Sequence, residues 1–168
     1  QSNVGDVVAM YLKIYDGFEN LQRESRIKMQ NHLAFRWYSM SEQPLFLLGL
    51  LFHTEHGELG ASFLKDEAFI ESDLLAKFNS KVLGYVDHFD LDVEKDELTI
   101  ELDDFIQKYD KYKEQLRALS NDLSEEAKWR LLSNNIGLKN ISKLATAVLA
   151  VKVQSADVER LFSLMGLI

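Results

Sequence analysis

The stretch SADVERLFSLMG at residues 155–166 sets a carboxylate and a guanidinium side by side, Glu159 and Arg160, next to an apolar side of Val158, Leu161, Phe162 and Met165. A glutamate is a hard oxygen ligand of the kind Mg²⁺ prefers, and two-metal cleavage of nucleic acid relies on such ligands. One carboxylate cannot hold two ions in line. Glu159 is therefore a catalytic ligand only in a longer polypeptide that supplies the others, and in isolation the chain offers no metal site. The plain structural reading is a glutamate in the first turns of a helix, favoured by the helix dipole.

Three other sets of residues have spacings that could do chemistry. Asp90, Asp92, Glu94, Asp96 and Glu101 fall at the ligand positions of an EF-hand loop, but Lys95 stands where the sharp turn requires glycine. A solvated acidic linker is the better reading of that stretch. His53 and His56 lie three apart with Glu55 and Glu58 nearby. HTEH is not the metalloprotease motif, and a loop carrying two exposed histidines is expected. Arg23, Arg26, Lys28 and Arg36 could meet DNA phosphates, with salt-dependent affinity. Glu24 among them fits a mixed-charge exposed face equally well.

These residues need elements to hold them, and the composition says which kind. The chain has 168 residues, 46% of them hydrophobic and 11% aromatic, with one proline and eight glycines. So few breakers favour long helices over a β-sandwich. Cysteine is absent, which removes disulfides and thiolate metal sites. The net charge of −8 argues against strong phosphate binding by this segment alone. The apolar run PLFLLGLLF at 44–52 is too short to cross a bilayer, so no membrane contact is expected. The first residues lack the basic start and small-residue end of a signal peptide. They begin at Gln1 rather than Met, as an excised segment would.

Hydrophobic spacing predicts an all-α fold, an irregular bundle of about seven to eight helices. Helical spacing runs through 3–20 and through 23–40, the most basic stretch. Pro44 suits the first position of a helix over 44–53, and 53–60 reads as a loop. A helix over 66–86 follows, then the acidic stretch 87–97 as the likeliest internal break. LTIEL at 98–102 alternates like a strand, but Leu98, Leu102, Phe105, Ile106 and Tyr109 fit a helix over the longer window. Residues 112–120 continue as helix or form a second short one. Ser124 is an N-cap ahead of Glu125 and Glu126, and a further helix runs from about Lys139 to Val151. Ser155 caps the closing helix.

The last third resembles the C-terminal region of hAT-superfamily DNA transposases. The residues that carry the likeness are Trp129 in one helix, Leu144-Ala145 with Leu149 in the next, and then Ser155-Ala156-x-x-Glu159-Arg160-x-Phe162-Ser163-x-x-Gly166. Upstream, Arg36-Trp37 followed by Glu42-Gln43-Pro44-Leu45-Phe46 is similar to the helical insertion region of fungal-type members. The resemblance implies an RNase-H-like parent with a helical insertion. Residues 1–86 would be insertion-like, 87–97 the acidic linker and 98–168 the dimerisation-like region. Glu159 would be the last catalytic carboxylate, with Mg²⁺ or Mn²⁺ as the parent's cofactor and none for this chain. Ser155, Ala156, Arg160, Ser163 and Gly166 would support the motif. Trp129, Leu144, Val148, Leu149, Val158, Leu161, Phe162 and Met165 would pack within the chain or across a dimer.

The expected role is subunit association and positioning of that carboxylate beside the rest of the catalytic core. DNA would be met through the parent only, in the nucleus, with no turnover by this chain alone. The alternative is a stand-alone helical protein-interaction module with no DNA role.

Overall fold

The computed structural model describes residues 3–7, 10, 13, 44–71 and 73–151. The fold is all-α. Among the described residues, 4–7, 10 and 13 are helical, and the helices that follow are α1 (Pro44–Phe52), α2 (Gly57–Leu64), α3 (Glu67–Glu71), α4 (Leu74–His88), α5 (Lys95–Gln107), α6 (Tyr109–Arg117), α7 (Glu125–Leu132) and α8 (Lys139–Ala150). The expected helices over 44–53, 98 onward, 124 onward and 139–151 are present. The expected helix over 23–40 and the closing helix from Ser155 lie outside the described residues, and two other expectations need adjustment. Residues 57–64 form a helix rather than a loop, and the helix expected over 66–86 is two, α3 and α4.

α1 is apolar nearly all round, and Leu47, Leu48, Leu50, Leu51 and Phe52 are fully buried. A helix without a polar face must be covered on most sides. α2, α4 and α8 do this, while α8 also packs on α7 and α5. The centre is a set of interlocked rings from three helices. Phe52 of α1 meets Trp129 of α7 edge-on at 5.2 Å, and Phe105 of α5 meets the same indole at 5.6 Å. Offset and edge-on ring pairs of this kind add attraction beyond the area they bury.

α2 exists because Gly60 lets its backbone lie on α1. A Cβ there would sit 2.8 Å from both the Leu51 nitrogen and Cα. Any side chain would push the two helices apart.

The acidic stretch is a helix stop. Asp90 takes the left-handed region, φ 51°. The Leu91 N–H donates to the Val86 carbonyl at 2.9 Å, and the Asp90 N–H donates to that of Asp87 at 3.2 Å. These are the two bonds of a Schellman motif, with aspartate in the place glycine usually holds. Leu91 and Val93 pack on the core, and buried side chains before and after the stretch form one continuous cluster.

The remaining helix ends are closed by partners both near and far. The Ser124 hydroxyl accepts from the Ala127 N–H at 3.2 Å, the N-cap expected for α7. α8 has no such cap of its own. Its first donors are met from α5 instead. Glu101 accepts from the Asn140 and Ile141 backbone N–H groups, both at 2.9 Å, and Glu97 and Glu101 each accept from the Asn140 side chain at 3.1 Å.

Candidate functional site

Most of the residues that the motif points to lie outside the described residues. These are Ser155, Ala156, Val158, Glu159, Arg160, Leu161, Phe162, Ser163, Met165 and Gly166, and likewise Arg23, Arg26, Lys28 and Arg36. The other four, Trp129, Leu144, Val148 and Leu149, are brought together where α7 and α8 pack, each with no exposed surface. Their apolar character is spent inside this chain, so a partner subunit would have to grip this region through other side chains.

Trp129 is positioned by more than packing. Its indole N–H donates to the Phe52 carbonyl at 2.7 Å. The last carbonyls of a helix have no partner within it, so a side chain from α7 completes the end of α1.

The turn after α1 gathers the polar side chains. The Glu125 carboxylate accepts from the Thr54 N–H and hydroxyl, both at 2.9 Å, and from Lys128 Nζ at 3.2 Å. Lys128 Nζ also donates to the Thr54 hydroxyl oxygen at 3.1 Å and is buried. A buried ammonium needs such a counter-charge, and this set locks the 53–56 turn to α7. Sequence reasoning missed it because Thr54 and Glu125 are distant in the chain.

His53 and His56 were expected to be exposed. His53 is buried instead, and the two rings lie against each other at a tilt of 32° with centroids 4.7 Å apart. His53 Nδ1 accepts the Glu55 N–H at 3.2 Å, so Nε2 carries the proton and donates to Asp6 Oδ1 at 3.1 Å. Asp6 is itself fixed. It accepts from the Asn3 N–H, and its own N–H donates to the Asn3 side chain, both at 2.9 Å. A His–Asp pair acts as a general base only through a free second nitrogen. Here that nitrogen is occupied, and the pair is a structural tie. Burial, and then the neighbouring His53, hold His56 below the usual histidine range.

Among the described residues no group of three or more His, Asp or Glu gathers as metal ligands. The acids at EF-hand spacing are dispersed. Asp90 forms the turn, Glu101 caps α8, and the Asp92 carbonyl accepts from Lys143 Nζ at 2.6 Å.

A second polar group ties α5 to α6. The Tyr112 hydroxyl donates to Asp104 Oδ2 at 2.7 Å, and Lys108 Nζ lies 2.7 Å from Oδ1. Lys108 first, and then Tyr112, hold Asp104 below the usual carboxylate range. The same hydrogen bond pushes Tyr112 up to about 12, and burial takes Tyr109 to about 12. No helix among the described residues is long and apolar enough to cross a membrane. Compared with protein-family models, curated proteins and solved structures, the chain matches none.

Proposed function

We propose that the chain is the C-terminal part of a hAT-type DNA transposase, or a domesticated derivative of one, acting in subunit association and in positioning the last catalytic carboxylate. The observation that carries this is the spacing from Ser155 through Glu159-Arg160 to Gly166, preceded by Trp129 and by Leu144-Ala145 with Leu149. The anchoring of that Trp and of α8 in one core supports the reading, because a firm base suits a ligand whose partners come from elsewhere. In the parent, Glu159 would hold Mg²⁺ or Mn²⁺ with two aspartates of the RNase-H-like core. Arg160, Ser155, Ala156, Ser163 and Gly166 would set the helix, and Val158, Leu161, Phe162 and Met165 would pack it. Arg23, Arg26, Lys28 and Arg36 would touch DNA phosphates only in the assembled nuclear protein.

Two measurements test it. Light scattering of the purified chain should give a dimer mass that Phe162→Ser reduces to a monomer. In the longer polypeptide, Glu159→Gln should abolish Mg²⁺-dependent strand cleavage at unchanged mass. Cleavage that survives Glu159→Gln would overturn the catalytic assignment.

A stand-alone protein-interaction module with no DNA role is the second reading. It is favoured by the way the described core meets its own needs, with α8 capped from α5 and the 53–56 turn tied to α7. An open reading frame beginning just before Gln1 would select it.

A further inference from the structure

An apolar groove of about 570 Å³ runs between α5 and the α3–α4 pair. Leu64, Leu75, Leu102 and Ile106 line it together with Ile70 and Ile100. Ile100 is 70% exposed and Ile70 44% exposed, although both belong to helices that bury other faces well. Isoleucines this exposed gain only part of what burial would give, and two of them beside one apolar depression form the kind of surface that a partner's apolar side chains can cover.

The charge around the groove says what kind of partner. Asp96 and Asp103 lie one helical turn before and after Ile100 on the same face of α5. Glu67 lies one turn before Ile70 on α3. All three are exposed, and none makes an ion pair among the described residues. Lys108, the cation lining the groove, is held by Asp104 at 2.7 Å and so adds no net positive charge to the rim. The groove is therefore apolar along its floor, with Asp103 in its lining and Asp96 and Glu67 one helical turn from the exposed isoleucines beside it.

We propose that this groove docks a basic amphipathic helix of a partner protein, with apolar side chains at i, i+3 or i+4 and i+7 seated between Ile70 and Ile100 and with Lys or Arg over Glu67, Asp96 and Asp103. Helix-in-groove recognition uses that anchor spacing, and rim charges of opposite sign add steering and register.

The test uses the intact chain and two labelled peptides, one of leucine and lysine at this spacing and its mirror with glutamate for lysine. Fluorescence anisotropy should show saturable binding of the lysine peptide and none of the glutamate peptide. Ile100→Ser should weaken binding about tenfold. Asp96→Asn with Asp103→Asn should weaken it and flatten its salt dependence. Ile100 is largely exposed, so the serine variant should keep the wild-type circular dichroism and melting temperature. Ile136→Ser, at a fully exposed site away from the groove, should bind as wild type. Binding that is indifferent to Ile100→Ser would reduce the interaction to general charge attraction and overturn the proposal. So would failure of the lysine peptide to bind, or a wild-type dimer that Ile100→Ser dissolves, since the occupant would then be a second copy.

Discussion

At the residue scale, the chemistry of the described side chains is that of fastening. Lys128 and Glu125 neutralise each other inside the protein, and removing one charge strands the other. Glu125→Leu should cost about 3 kcal/mol, read from the urea midpoint at unchanged slope. Adding Lys128→Met should recover only part of this, because the Thr54 N–H still lacks its acceptor. Tyr112 supplies a pH signature. Its phenol titrates at about 12 in the folded chain against about 10 when unfolded. A raised folded value means stability that is complete below pH of about 10 and lost as pH rises through about 12. Tyr112→Phe should make that alkaline loss shallower, as followed by circular dichroism across the range.

At the element scale, the helices with a strong apolar stripe or a local start signal were legible, and α2, which depends on the backbone of another helix, was not. Pro44 and Ser124 announce α1 and α7 in their own residues. α8 was legible from its apolar stripe of Ile141, Leu144, Ala145, Val148 and Leu149; only the Glu101 carboxylate that meets its first N–H groups lies beyond its own residues. α2 looked like a loop because glycines weaken a helix on its own; contact with the Leu51 backbone makes Gly60 fit there. The strand-like alternation of LTIEL gave way to the longer helical period, whose stripe faces the ring cluster. The end of α4 yields a prediction. Asp90 holds a conformation in which a Cβ is unfavourable, so Asp90→Gly should raise stability by about 0.5–1 kcal/mol, measured by thermal melting.

At the scale of the whole molecule, the buried cluster joins side chains from both sides of the acidic stretch, and Phe52, Phe105 and Trp129 interlock across it. A fragment of residues 98–168 would lose α1, and with it the cover over α8 and the acceptor for the Trp129 N–H. Expressed alone it should show little cooperative unfolding, and a sharp melting transition would show instead that it is self-sufficient. The candidate site was legible only in part. Trp129, Leu144, Val148 and Leu149 could be picked out by their apolar spacing, but not whether they would face inward or toward a partner. That depends on where α1 lands, which no local pattern encodes. The contact between Gly60 and Leu51 reaches further than packing. Where two backbones touch with no space for even a methyl group, the joint cannot swing, so α1 and α2 must travel as one rigid corner and any change of shape in this protein has to be articulated at some other connection.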